Sequence, residues 1–129
     1  RLTKEKPHVT RTSKAWQAVV LEQLAQLGFG ILPQDHMPTE AWPATVVLPS
    51  GMGDARNLLM ALAGDACLVI GGRAGTISEV CLAWLHKRPL LPLVGHGGWS
   101  DSLPDAPPDE RANSPILPWA SMTELTLQL

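Results

Sequence analysis

The features that assign many chains to a functional class at first glance are scarce in these 129 residues. There are two cysteines, Cys67 and Cys81, too few for a disulfide framework, so we expect buried reduced thiols and a cytoplasmic protein. No run approaches the roughly 20 apolar residues that span a bilayer, so we expect no membrane span, and the 129 residues contain no charged-then-apolar pattern of the kind expected in a leader. The ten Lys and Arg residues are scattered and the net charge is −2, which argues against nucleic acid or an anionic membrane as partner.

Signals for metal binding and for a hydrolase triad are also weak. The histidines are His8, His36, His86 and His96. None has ligand spacing with either cysteine, so we expect no metal site. His96, Ser100 and Asp101 are triad residue types, but their crowding into one proline-rich loop argues against a triad.

One segment is informative: an apolar run, then a glycine-rich turn, then an amphipathic helix. Residues 66–70 (ACLVI) are uncharged and suit a strand that is buried on both faces. The glycines Gly71, Gly72 and Gly75 allow a tight turn and the close approach of a ligand. The amides and the positive dipole end of the following helix would then face a bound anion. The pattern therefore predicts a phosphate-binding turn.

A second glycine turn precedes the first by about fifteen residues. Gly51 and Gly53 again open a predicted helix, with Arg56 in its first turns and Asp54 where a carboxylate favours the helix dipole. Turns of this kind lie at the carboxyl ends of parallel strands, where ligands bind in open α/β sheets. We expect the two turns to face each other across one cleft.

Strands and helices alternate along the chain. Residues 1–13 are predicted to be a flexible lead-in, and 14–129 a single domain. Helices are predicted at 14–27, at about 55–63 and at 77–86. The second has Leu58, Leu59 and Leu62 on its buried face. A last helix is predicted after a capping box formed by Ser121 and Glu124. Predicted strands are 29–32, 44–48, 66–70, 90–94 and 116–119, and Pro92 indicates that the fourth lies at an edge or ends early. Loops are predicted at 34–43 and 95–115, the latter a lid or disordered. This order favours a Rossmann-like three-layer α/β/α fold with a mostly parallel sheet.

The two glycine motifs together resemble the LOG-like superfamily of Rossmann-type proteins, also called lysine decarboxylase-like or SLOG. The resemblance rests on two motifs, GMGDARN at 51–57 and GGRAGTISE at 71–79. The resemblance is nearest to the molybdenum-cofactor carrier-like branch, whose strand end also matches GFGILP at 28–33. It spans residues 28–94, and the motifs are specific only as a pair.

The resemblance implies binding of a phosphorylated nucleotide-type ligand, as a carrier or sensor, by a homo-oligomer, usually a dimer. No cofactor is implied as a requirement; a nucleotide or a molybdopterin-type molecule would be the bound ligand. The binding residues would be Gly51, Gly53, Gly71, Gly72, Arg73, Gly75 and Thr76.

A second implication is enzymatic. In the LOG phosphoribohydrolases, which cleave nucleoside 5′-monophosphates between base and ribose, the catalytic arginine and glutamate match Arg56 and Glu79. A carboxylate can stabilise the oxocarbenium-like charge and orient water, while an arginine holds substrate oxygens. A third alternative is a degenerate scaffold domain that binds nothing.

The chain departs from the family pattern in two ways. Nothing in residues 1–27 supplies the family's first strand and glycine turn, and the chain begins at Arg1, so it resembles the C-terminal part of the fold, a fragment or a shortened relative. Arg73 stands where the family commonly has a glycine. Its side chain could obstruct a phosphate or bind one with its guanidinium fork.

Structural roles compete with each functional interpretation. Thr76 and Glu79 fit a capping box at a helix start, and Arg56 could form an ordinary surface ion pair. The glycines could serve the turns alone. Four of the five tryptophans, Trp42, Trp84, Trp99 and Trp119, are expected in the core or at a subunit interface.

Overall fold

The computed structural model describes residues 20, 22, 29–41 and 44–129. The predicted lead-in, most of the first predicted helix, Gly28 and Trp42 lie outside these residues. Val20 and Glu22 are helical, in agreement with that prediction, and Val20 packs against the core.

In the described part of the chain, four short strands form two parallel pairs. Strand β1 (Phe29–Leu32) pairs with β2 (Val46–Pro49), and β3 (Cys67–Val69) pairs with β4 (Leu90–Pro92). The parallel α/β arrangement is confirmed. One continuous sheet was expected, whereas the described residues form two separate two-stranded sheets.

Three complete α-helices lie within the described residues, and their N-cap residues are Ala55, Arg73 and Ser121. Helix α1 (Arg56–Ala63) continues a 3₁₀ turn at Gly53–Ala55, and α2 (Ala74–Leu85) follows the second glycine turn. Helix α3 (Met122–Gln128) begins with the predicted capping box. The Ser121 side chain accepts a hydrogen bond from the Glu124 amide, and the Glu124 carboxylate accepts one from the Ala120 amide.

The core consists of two apolar clusters on the β3–β4 pair. Trp119 and Trp84 are almost fully buried, and their indole N–H groups donate to the carbonyl of Leu91 and to the carboxylate of Asp109. The core role is therefore confirmed for these two tryptophans. The buried apolar members are Ile70, Leu91, Leu93, Trp119, Met122 and Leu125 in one cluster, and Ala61, Val69, Val80, Ala83, Trp84, Leu90 and Leu103 in the other.

The predicted buried face of α1 is wrong. Leu58, Leu59 and Leu62 are 40%, 37% and 41% exposed, whereas Asn57 and Ala61 are buried. Apolar spacing alone cannot tell a core-facing stripe from one that faces solvent or a partner. The helix packs on α2 through its small and polar residues instead.

Pro92 predicted either an edge position or an early end for the strand; the early end is confirmed, since β4 ends at Pro92, and the edge position is wrong. Segment 115–119 runs along its outer side, with parallel bridges from Leu90 to Ile116 and from Leu93 to Trp119. Pro92 has no N–H to donate, and its position between the two bridges interrupts the ladder. The predicted strand at 116–119 is accordingly reduced to isolated bridges.

The long segment 95–115 is packed against the domain. It contains a 3₁₀ turn at Trp99–Ser102 and the fully buried Leu103. Asn113 and Ser114 donate side-chain hydrogen bonds to carbonyls at the end of α2 and beyond it. These two contacts anchor the segment to the C-terminal end of α2.

None of the helices in the described part of the chain is long and apolar enough to cross a membrane.

Candidate functional site

Helix α2 starts three residues earlier than the sequence predicted. Its first residue is Ala74, so Gly75 and Thr76 lie in its first turn. The first hydrogen bond of the helix runs from the Ile77 amide to the Arg73 carbonyl. No described residue accepts a hydrogen bond from the amides of residues 72–76. Five adjacent donors therefore collect at the positive end of the helix dipole.

Space is available beside Gly75 in this first turn. A Cβ atom built on Gly75 would meet no atom within 4 Å other than those of its chain neighbours and of its own helix backbone. Gly72 has a φ of +107°, and a Cβ there would lie 2.6 Å from the Thr76 side chain, so the turn requires glycine at this position. Arg73 is exposed and extended at the N-cap, where its side chain makes no capping bond.

The amide of Gly71 is not one of the donors, which corrects the expected set. Its N–H donates to the Ser100 hydroxyl at 2.9 Å, and the Ser100 amide donates back to the Gly71 carbonyl at 2.9 Å. The Ser100 hydroxyl in turn donates to the Leu93 carbonyl at 2.9 Å. Ser100 is completely buried and ties segment 95–115 to the glycine turn.

The amides of the first glycine turn are also engaged. Gly51 donates to the Gln34 carbonyl at 3.0 Å and Gly53 to the Pro33 carbonyl at 2.9 Å. These two glycines therefore shape the turn at the carboxyl ends of β1 and β2, and their N–H groups are not available to a ligand. The contribution of this turn is the position that it gives to Arg56.

Arg56 and Glu79 are brought together by the packing of α1 on α2. The guanidinium Nη1 lies 3.6 Å from a carboxylate oxygen of Glu79, and both side chains are about three-quarters buried, at 27% and 29% exposure. The adjacent pair is also polar: the Asn57 amide donates to the Ser78 hydroxyl at 3.3 Å. Two neighbouring residues of α1 thus meet two neighbouring residues of α2.

The capping-box interpretation of Glu79 is wrong. The N-cap of α2 is Arg73, so Thr76 is the third helical residue and Glu79 lies a full turn further along the helix. A glutamate in that position cannot reach back to the cap amide. Its partner in this structure is Arg56.

Burial raises the pKa of Glu79, and the positive charge of Arg56 opposes that rise. The same carboxylate lines a cavity of about 170 Å³ whose other walls come from α1 and β3. Its lining residues are Met60, Ala61, Ala66, Cys67, Leu68 and Glu79. Burial, followed by the nearby charge of Glu79, raises the pKa of Cys67 to about 11, so this half-buried thiol is not a reactive thiolate.

The Arg56 side chain has unused hydrogen-bonding capacity. Its Nε atom is buried and makes no hydrogen bond with any described residue. A buried guanidinium N–H without an acceptor is unfavourable, and a ligand oxygen beside Arg56 would satisfy it.

Within the described ranges, no group of three or more His, Cys, Asp and Glu side chains is arranged to hold a metal ion.

Two important residues were missed by sequence analysis. Asn57 was read only as part of the GMGDARN motif, although its burial between two helices makes it a structural contact. Ser100 was considered only as a triad candidate in a loop. No local pattern indicates that a serine 29 residues away would bind the Gly71 amide.

The sequence matches one family model over residues 19–114, which is well over half of the chain. The chain belongs to the SLOG cluster4 family. This SLOG assignment confirms the resemblance that the two glycine motifs indicated. No curated protein matches the chain.

Two solved structures share the fold of this SLOG protein. The X-ray structure of TM1055, a structural genomics target, has a TM-score of 0.72 and 23% identity, covering 90% of this chain and 68% of its own. The molybdenum cofactor binding protein from the phototrophic bacterium Rippkaea orientalis has a TM-score of 0.65 and 24% identity, covering 90% of this chain and 65% of its own. At these identities the likeness shows the fold alone, and the chain spans about two thirds of either neighbour's length.

Proposed function

We propose that this SLOG protein binds a phosphorylated, nucleotide-type ligand and acts as a carrier or sensor of it. The observation that carries the proposal is the set of amides at residues 72–76, none of which has an acceptor among the described residues. In our proposal, the phosphate lies against the first turn of α2. There it accepts hydrogen bonds from these amides and interacts with the helix dipole.

Two side chains support the same position. Arg73 stands at the N-cap, exposed and without a capping bond, where its guanidinium can reach an anion above the turn. The Arg56 guanidinium has a buried Nε without an acceptor among the described residues. Arg56 is the first residue of α1, directly after the short turn that begins at Gly53. Thr76 adds a hydroxyl in the first turn of α2.

The carrier role draws on family membership and on one neighbour. The Rippkaea orientalis structure with this fold is a molybdenum cofactor binding protein. We extend to this chain the idea of a bound ligand of that class, a molybdopterin-type molecule or a nucleotide. The common element of these ligands is a phosphate attached to a heterocycle.

Substitution of Ala74 tests the phosphate position without disturbing the helix. Proline is tolerated at the first position of a helix, and Ala74 is that position in α2. Proline also requires an extended residue before it. Arg73 is already extended, with φ −130° and ψ −160°. Ala74→Pro therefore deletes one donor and preserves the fold. Ala74→Val, which adds bulk but keeps the N–H, is the control.

Ribose 5-phosphate is the probe, measured by isothermal titration calorimetry and by the rise in melting temperature with ligand concentration. A charge-assisted hydrogen bond contributes about 1.5–3 kcal/mol, so Ala74→Pro should weaken binding about tenfold or more, and Ala74→Val should not. Equal affinity of both variants and the parent protein, or no binding of ribose 5-phosphate, would contradict the proposal.

A second function is favoured by the contact between Arg56 and Glu79. The two charged groups lie 3.6 Å apart, and burial raises the pKa of Glu79. Both features suit a carboxylate that stabilises positive charge on the ribose and orients water, beside a guanidinium that holds substrate oxygens. The reaction would be hydrolysis of the N-glycosidic bond of a nucleoside 5′-monophosphate. Release of free base from AMP or GMP, abolished in a folded Glu79→Gln variant, would support an enzyme; no release from any nucleoside monophosphate would exclude this function.

We also propose that the protein self-associates through the exposed apolar face of α1. Leu58 and Leu62 lie one turn apart on that face and are each about 40% exposed. Exposed apolar side chains in a contiguous patch are typical of interfaces. Sedimentation velocity should show a dimer that dissociates when both leucines are replaced by lysine. An unchanged sedimentation coefficient in that double variant would contradict this interface.

A further inference from the structure

Segment 95–115, called the strap from here on, is attached to the protein at both ends of α2. Before the start of α2, Ser100 binds Gly71 through both its hydroxyl and its amide. Beyond the end of α2, side-chain and backbone hydrogen bonds hold residues 109–115. Between these two attachments, residues 104–108 are exposed or half-buried. The strap therefore connects the glycine turn with the opposite end of the helix.

The far attachment, which we name the clasp, centres on the carboxylate of Asp109. Trp84, which is 3% exposed, donates its indole N–H to this carboxylate at 3.0 Å, and the Nε of Arg111 donates to it at 2.8 Å. Asn113 and Ser114 donate to main-chain carbonyls at the end of α2 and just beyond it. Hydrogen bonds from Arg111, then from Trp84, lower the pKa of Asp109, so the acceptor is ionised at neutral pH.

The near attachment fixes the backbone of the glycine turn. Gly71 and Gly72 have φ of +64° and +107°, conformations that a glycine-containing chain also leaves easily when nothing holds it. Ser100 holds Gly71 on both sides, because its hydroxyl accepts from the Gly71 amide and its own amide donates to the Gly71 carbonyl, each at 2.9 Å. A Cβ on Gly98 would lie 2.6 Å from the Cα of Gly71, so the two backbones also touch. The amides of residues 72–76 follow directly, and the strap thus fixes the start of that row of donors.

We propose that the strap couples the clasp to the phosphate turn, so that opening the clasp at Asp109 releases Gly71 and weakens phosphate binding at residues 72–76. Apart from the 3₁₀ turn at Trp99–Ser102, the strap contains no helix or strand, and segments of that kind open locally more readily than a core. Its first residues include three glycines with positive φ, where the backbone can change direction: Gly95, Gly97 and Gly98. Donors that are already ordered bind an anion more tightly than donors that binding must first order.

The effect on binding rests on the proposed phosphate site, whereas the coupling inside the protein does not. Ala74 and Trp84 are ten residues apart in α2, which at about 1.5 Å per residue is about 15 Å along the helix. A substitution in the clasp therefore leaves the residues that we propose to bind phosphate untouched. Any effect on them is transmitted through the strap or through the helix.

Amide hydrogen exchange in the ligand-free full chain, followed by NMR, tests the coupling itself. Asp109→Ala removes the acceptor of the clasp and should raise the exchange rates of the Gly71 and Ser100 amides about tenfold. Ser114→Ala loosens the same clasp more mildly and should raise both rates by a smaller factor. Glu124→Ala on α3 also removes a carboxylate that accepts a backbone N–H, but outside the strap, and should leave both rates unchanged.

Calorimetry with ribose 5-phosphate tests the consequence for the site. Asp109→Ala should bind this probe about fivefold more weakly than the parent protein, and Glu124→Ala should bind it equally well. Loss of a negative charge by itself favours an anion, so the expected weakening is opposite in sign to a charge effect. Coupling is reciprocal, so saturating probe should slow exchange of the Trp84 indole N–H more than that of the Trp119 indole, which donates to the Leu91 carbonyl outside the strap.

The outcomes separate this inference from the proposed function. If exchange at Gly71 and Ser100 rises equally in Asp109→Ala and Glu124→Ala, or does not rise in either clasp variant, the coupling is wrong; Ser114→Ala decides this alone if Asp109→Ala does not fold. If exchange rises selectively but the affinity for ribose 5-phosphate is unchanged, the strap does not control the site and the phosphate site stands. If the parent protein does not bind ribose 5-phosphate, the proposed function and the binding half of the inference both fail, and the exchange rates still decide the coupling.

Discussion

Arg56 and Glu79 come from different helices and different glycine turns, yet their charged groups lie 3.6 Å apart. The distance follows from the packing of α1 on α2, which the neighbouring contact of Asn57 with Ser78 reinforces. Each helix begins at one of the two glycine turns. The ion pair therefore shows that the first turn of α1 lies beside the second turn of α2.

The first prediction concerns the pH dependence of stability at Glu79. Its pKa in the folded state is raised above the ordinary value of 4.5, so the folded protein binds a proton more readily than the unfolded chain. The stabilisation from this group is fully present below the unfolded pKa. It is lost as pH rises through the folded pKa.

Urea unfolding of the parent protein and of Glu79→Gln, from pH 4 to pH 7, tests this sign. The difference in unfolding free energy, parent minus variant, should fall as the pH increases. Glu110→Gln provides the control for a lost carboxylate at an exposed position. A difference that grows with pH would mean that Arg56 stabilises the ionised form more than burial disfavours it.

The second prediction concerns the contact between segment 95–115 and the glycine turn. Gly97 and Gly98 have nearly the same positive φ, +78° and +79°, but only a Cβ on Gly98 would collide, at 2.6 Å from the Cα of Gly71. Alanine is disfavoured by the positive φ at either position. Gly98→Ala adds overpacking of about 1–3 kcal/mol at a backbone conformation, φ +79° and ψ −179°, that is essentially confined to glycine, so Gly98→Ala should cost more. Equal losses of stability in the two variants would show that the close approach is not a real constraint.

The third prediction concerns Ser100. Its hydroxyl accepts from the Gly71 amide and donates to the Leu93 carbonyl inside the protein, so Ser100→Ala leaves both groups without that partner. The expected loss of stability is about 1–3 kcal/mol. Ser102→Ala, which removes a hydrogen bond at an exposed position, should cost far less. Similar losses from both substitutions would argue against the anchoring role of Ser100.

The fourth prediction concerns the end of α2. Lys87 has φ +57°, and the amides of Lys87 and Arg88 donate to the carbonyls of Trp84 and Ala83, the pattern in which helices favour glycine at the left-handed residue. Lys87→Gly should therefore stabilise the protein by about 0.5–1 kcal/mol in urea unfolding. Lys87→Ala removes the same side chain but keeps the strain, so it should give no gain. Stabilisation by alanine as well would place the effect in the lysine side chain.

The sequence predicted the elements whose determinants are local. The strand at 29–32, the capping box of α3 and the glycine turn before α2 depend on neighbouring residues, and each is present in the structure. The start of α2 was placed too late, because glycine at position 75 was read as part of the turn. A glycine in the first turn of a helix is compatible with the helix when its flanking residues provide the start.

The remaining features depend on contacts between residues far apart in the chain. The exposed leucines of α1, the internal bonding of the Gly51, Gly53 and Gly71 amides, and the burial of β4 beside 115–119 are all set by tertiary packing. Spacing rules describe one element at a time and cannot supply these partners. Of the predicted donors, those at Gly72, Gly75 and Thr76 still lack an acceptor among the described residues.

The most direct test of the phosphate site is an NMR titration of the ¹⁵N-labelled full chain with ribose 5-phosphate, following individual amides. The amides of residues 72–76 should shift downfield in proportion to occupancy, whereas those of Gly51, Gly53 and Gly71, which already have internal acceptors, should move little. Saturable shifts confined to other parts of the protein, or no shifts at all, would contradict the account.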